Sequence, residues 1–142
     1  MATSTVTAFK AALLTQLQNR AGLSGVQVSY GWPGGAVKRE SIMLGGVSGT
    51  QVFRTIGATQ KMEEYALTVY ITVIREGAGR QQNCDERALA IMAEIENELR
   101  PGITVNNTVL TAELAGFDLQ PMASAETREA RLTVTINVMA RI

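Results

Sequence analysis

The chain has no histidine and a single cysteine, Cys84. Without histidine, the commonest general base and the commonest metal ligand are both missing. One thiol cannot build a thiolate zinc site within a chain. Neither a Cys–His pair nor a Ser–His–acid triad can be assembled. A serine–lysine pair stays formally open, yet Lys10, Lys38 and Lys61 are the only lysines and none sits in a recognisable motif. Two adjacent carboxylate pairs could act as acid and base. Glu63-Glu64 opens a predicted strand, where neighbours point to opposite faces. Asp85-Glu86 falls in the first turn of a predicted helix, where negative charge complements the dipole. Gly45-Gly46-Val47-Ser48-Gly49-Thr50 has the small residues of a phosphate loop, but no lysine follows and no helix opens after it. It reads as a flexible hairpin tip. No catalytic, metal-ligating or cofactor-binding residue is expected.

The remaining distinctive residues suit contacts. Cys84 lies on the apolar stripe of a predicted helix and reads as a small core residue, because no cationic neighbour activates it. Trp32, the only tryptophan, sits in a Pro-Gly turn, either folded back as a lid or used as an interface anchor. Arg128 and Arg131, with Glu126 and Glu129, form either a solvated surface or a salt-bridge seam to a neighbouring copy. The stretch from Gly45 to Lys61 is longer than a tight hairpin needs and carries Val52, Phe53 and Ile56. Such an arm could pack onto a partner. Trp32, Phe53, Arg54, Ile56, Arg128 and Arg131 are therefore the candidate interface residues.

The 142 residues suggest one domain, 1–142, and their 46% apolar and 18% charged content is that of a globular chain. Lys+Arg and Asp+Glu both number 13. A nucleic-acid-gripping domain draws its affinity from a basic excess, and none is present. Zero net charge also leaves self-association unopposed. No run reaches the roughly 20 apolar residues that cross a bilayer. Met1 to Thr7 lacks the charge and apolar core of an export signal, and a lone cysteine fits a reducing compartment. The expectation is a protein made in the cytosol, without a membrane partner.

Elements must position these residues. Val6, Phe9, Leu13, Leu17 and Ala21 recur at helical spacing, with Ser4 or Thr5 as cap and Gly22 as stop. Short strands are predicted around Val26–Tyr30, Glu40–Leu44 and Gln51–Ile56, with Gly45-Gly46 ending the second. Over Glu64–Arg75, Leu67, Val69, Ile71 and Val73 alternate with Thr68, Tyr70, Thr72 and Ile74. A second helix spans Cys84–Leu99, capped by Asn83 in a capping box with Glu86 and stopped by Arg100-Pro101-Gly102. Its stripe is Cys84, Ala88, Ile91, Ile95 and Leu99. Val109–Ala115 and Arg131–Arg141 complete the strands, and Pro121–Glu129 reads as a loop. The order predicts an α+β fold, a mostly antiparallel sheet with both helices packed on one face.

Three stretches carry a resemblance: the opening helix Ala8-Phe9-Lys10-Ala11-Ala12-Leu13-Leu14, the strand Tyr65–Ile74 running into the helix Arg87–Ile95, and the closing alternating strand Arg131–Arg141. Together they resemble the tail terminator (tail completion) proteins of long, non-contractile phage tails. The likeness is one of pattern and size over nearly the whole chain. It implies a structural virion subunit, not an enzyme, with no cofactor. Such subunits form a six-fold homohexameric ring on the head-proximal end of the tail tube, after assembly in the host cytoplasm. The implied partners are further copies, the tail tube protein and the head-completion (connector) protein, with DNA passing through unbound. Other neck, head–tail joining or tube proteins, and a monomeric small-ligand-binding α+β module near Trp32, are the competing expectations.

Overall fold

A computed structural model describes residues 3–53, 60–77 and 79–142. The elements run α1 (Val6–Gln18), a 3-10 turn (Ala21–Leu23), β1 (Gln27–Ser29), β2 (Glu40–Phe53), β3 (Lys61–Glu76), α2 (Gln81–Leu99), β4 (Thr111–Ala123) and β5 (Thr127–Arg141). The strands form one sheet in the order β1-β2-β3-β5-β4. β1 runs parallel to β2, and every other pairing is antiparallel. The α+β class and the mostly antiparallel sheet are as expected.

Period-two alternation settles which face is buried. In β3, Leu67, Val69, Ile71 and Val73 lie opposite Ile136, Val134, Leu132 and Ala130 of β5, and all are buried. Ile42 and Leu44 continue this face into β2, opposite Ile71 and Val69. Phe9, Leu13 and Leu17 of α1 join Cys84, Ala88, Ile91, Ile95 and Leu99 of α2 in the same buried cluster. Both helices thus cover one face, and among the described residues the opposite face carries no helix. At roughly 1.5–3 kcal/mol per fully buried large apolar side chain, this interface dominates folding.

Several local expectations are corrected. The two strands predicted over Glu40–Leu44 and Gln51–Ile56 are a single strand as far as Phe53, so Gly45–Thr50 is not a hairpin tip. Gly45-Gly46 form a bulge instead, where the register slips between Leu44 and Val47. A Cβ on Gly45 would meet the Tyr70 ring and come within 2.8 Å of the Thr68 carbonyl. Close approach to β3, not turn geometry, demands glycine there. The loop predicted over Pro121–Glu129 shrinks to a tight turn at 124–126, closed by Ser124 N donating to the Thr127 carbonyl (3.0 Å). Pro121 is tolerated because β4 is an edge strand.

Helix α1 stops at Gln18, and its predicted continuation to Ala21 is replaced by the 3-10 turn. Helix α2 starts at Gln81, three residues before the expected start at Cys84. Asn83 lies inside it, and its Oδ1 accepts from Arg75 Nε at 3.3 Å. Asp85 and Glu86 are thereby moved out of the first turn. They accept from Gln81 and Gln82, each at 2.9 Å.

Candidate functional site

Among the described residues no group of three or more His, Cys, Asp or Glu side chains is placed to hold a metal. Cys84 is buried, and its thiol donates to the Arg128 carbonyl at 3.4 Å. Desolvation raises its pKa, the opposite of nucleophile activation.

The buried carboxylates are occupied by structure. Glu63 is only 3% exposed. Its Oε1 accepts from Thr5 N (2.9 Å) and Thr5 Oγ1 (2.7 Å), and its Oε2 from Gln51 Nε2 (2.7 Å). Desolvation pushes its pKa up, but hydrogen bonds from Ser4, Thr5 and Gln51 outweigh it and hold the carboxylate below its usual range. The clamp fastens the start of α1 to β2 and β3. Glu64 projects to the other face and is exposed, so the adjacent pair cannot act together. Glu40 accepts from both Arg75 and Arg87. Here too desolvation raises the pKa and the two guanidinium hydrogen bonds more than reverse it. This bridge ties β2 and β3 to α2.

What the molecule presents outward is different. The helix-free face is built from Met43, Thr68, Tyr70, Thr72, Thr133, Thr135 and Asn137, largely hydroxyl and amide groups. Its strand charges are Glu64, Glu76, Glu113, Asp118 and Glu129 against Arg131 and Arg141, an acidic excess. Trp32 stands at one end of this face and is 71% exposed. With Pro33, Val37, Met43, Tyr70 and Ile74 it lines an apolar cavity of about 190 Å³. Trp32 is thus an exposed wall, not a lid folded over the core.

The remaining expected residues scatter. Arg131 shares the helix-free face opposite Thr72, which also lines the Trp32 cavity. Its Nε donates to Glu129 Oε1 at 2.9 Å. Arg128 belongs to the other face and is held by the Ser124 carbonyl at 2.8 Å. Both arginines have partners inside the chain. Phe53 ends β2, 59% exposed, with Lys61 Nζ 5.0 Å from its ring centroid. Arg54 and Ile56 lie outside the described residues.

Other exposed apolar residues escaped sequence reasoning: Phe117 (59% exposed) and Met122 on β4, Met139 on β5, and Leu110 just before β4. Phe117 and Met122 lie beyond the strand expected over Val109–Ala115, in the part of β4 that continues to Ala123.

No family model and no curated protein sequence matches the chain. Among solved structures, it is similar to a chain in the virion of a native gene transfer agent particle. The TM-score is 0.66 at 16% identity, over 98% of this chain and 100% of that one. At that identity the likeness is one of fold.

Proposed function

We propose that this chain is a structural virion subunit, a tail terminator that forms a ring on the head-proximal end of a phage tail tube. The reading rests above all on the end-to-end fold match to a chain of a virion particle. Two further observations support it. The buried polar side chains among the described residues all have hydrogen-bond partners, with Glu63 and Glu40 held in clamps between elements. The sheet also leaves one face and two edges uncovered, which suits a subunit completed by its neighbours. In this role six copies make a closed ring by head-to-tail contacts. One surface meets the tail tube protein and another the head connector. The helix-free face, rich in Thr and Asn and acidic, suits a channel wall that lets DNA pass without holding it. No catalysis and no cofactor belong to this role.

The apolar Trp32 cavity is the observation that most favours a monomeric small-ligand module. Its 190 Å³ is below the roughly 300–1,000 Å³ of ordinary ligand sites, and the larger hollow of about 430 Å³ beside Thr50, Glu64 and Glu113 is a more polar one on the sheet face, so the assembly reading stands ahead.

Mass in solution across a concentration series, with electron microscopy of the largest species and of purified tail tubes mixed with the protein, tests the proposal. Closed rings, or capping of tube ends, are expected. Long tubes of this protein alone would point to a tube subunit. A monomer that tubes do not recruit would overturn the assembly reading.

A further inference from the structure

We infer that neighbouring copies join edge to edge, the free edge of β2 over Val47–Phe53 pairing antiparallel with Phe117–Ala123 of the next copy's β4. The inference deepens the ring reading and rests on it. Among the described residues β4 pairs only with β5, and no strand lies along its outer edge. Among the described residues β1 pairs with β2 only at Ser41–Met43, and beyond the bulge at Leu44–Val47 the pairing of β2 with β3 is regular and no strand lies on its other side. Monomeric proteins block such edges with charge. Val47-Ser48-Gly49-Thr50-Gln51-Val52-Phe53 carries none.

Strand directions allow the join to repeat. Along β2, β3, β5 and β4 the chain alternates up, down, up, down. Rotation about an axis lying roughly along the strands preserves direction, so the next copy's β2 again runs up beside a descending β4. An unbroken antiparallel wall results, and repetition of one heterologous contact closes it into a ring.

The side chains select the register. Phe53 shares the helix-covered face, opposite Lys61, and Phe117 shares it too, opposite Val134. Val52 and Met122 lie on the helix-free face, opposite Met62 and Glu129. Setting Phe53 against Phe117 puts Thr50 opposite Gln120, Ser48 opposite Met122 and Val47 opposite Ala123. Every residue then keeps its face. The neighbour's β4 ends at Ala123, just short of the segment that β1 occupies. Pro121, without an N–H, removes at most one bond from this ladder.

The test is cross-linking of Thr50→Cys combined with Gln120→Cys, in a Cys84→Ala background, using a short thiol-specific linker. Both positions are exposed. A ladder of covalent multimers ending at the closed ring is expected. Thr50→Cys with Glu113→Cys should give no covalent multimers, since position 113 lies seven residues, roughly 23 Å of strand, from position 120; the two line one hollow within a copy, so a link inside the chain does not count. Phe117→Asp should weaken association while leaving the melting temperature of the dissociated, dilute protein unchanged, because Phe117 is already exposed in one copy. Assemblies seen by mass that fail to link through 50 and 120, or whose copies link to one another equally well through 50 and 113, would overturn the edge pairing while leaving the ring reading intact. A monomer that neither links nor is recruited to tail tubes would overturn both.

Discussion

Glu63→Gln is the most informative single change to the fold, because it removes one charge and almost no volume. In the native chain the carboxylate accepts hydrogen bonds from Thr5 N, Thr5 Oγ1 and Gln51 Nε2, with the Ser4 hydroxyl also contributing. A carboxamide has one acceptor oxygen and one NH2 group. If its oxygen keeps the Thr5 donors, its NH2 meets the Gln51 NH2, donor against donor. Gln51 can turn its own oxygen inward, but its NH2 then loses the Thr3 carbonyl, now at 2.7 Å. Charge-assisted bonds contribute about 1.5–3 kcal/mol each, so the variant should be less stable by about 1.5–3 kcal/mol. For a domain of this size that lowers Tm by about 3–12 °C. The pH dependence has a definite sign. The folded-state pKa is held below the usual 4.5, so the unfolded chain binds the proton more readily. The stabilisation is complete above about 4.5 and is lost as pH falls through the folded pKa. Urea midpoints near pH 7 and near pH 3 should show a gap between the native chain and the variant that narrows in acid. Glu76→Gln is the control, since Glu76 meets only Arg39 at an exposed site, and it should leave the midpoint where it is. No destabilisation by Glu63→Gln at pH 7, or a gap of constant size down to pH 3, would refute the clamp.

Three further outcomes are expected. Ile136→Ala, at the fully buried centre of β5, should cost about 2–5 kcal/mol in chemical denaturation, the range for a cavity in a rigid core. Gly49→Ala should be more damaging than its size suggests, because the added Cβ meets the Glu64 carbonyl and Tyr65. A clear fall in Tm with unchanged far-ultraviolet circular dichroism checks it. Cys84, buried and with its pKa raised by desolvation, should resist thiol reagents in the native protein and react at a rate tracking unfolding as urea is added.

Much of this architecture was legible in the residues. Leu67 to Val73 and Leu132 to Ala140 alternate so strictly that only one face of each strand could be buried. Cys84, Ala88, Ile91, Ile95 and Leu99 recur at helical spacing, so the inward stripe of α2 was fixed by local pattern. These are properties of a strand or a helix taken alone, set by the two-residue and 3.6-residue repeats. The missing histidines and the single cysteine by themselves remove histidine-based catalysis and thiolate metal sites.

What failed depended on neighbours. Gly45-Gly46 reads locally as a turn, yet it is a bulge because Tyr70 and the Thr68 carbonyl of β3 crowd that point. Pro121 reads as a loop residue, yet it sits in β4 because no strand lies on that strand's outer side. Thr5 reads as a helix cap, yet its hydroxyl turns to Glu63, far away in sequence. Arg128 and Arg131 read as one charged cluster, yet strand geometry puts them on opposite faces. Composition and periodicity determined which side chains of each element face the core. Only the tertiary structure decided which strands are edges, which glycines are crowded and which surfaces are left open. Those depend on the backbone that lies alongside, and no local window of sequence contains it.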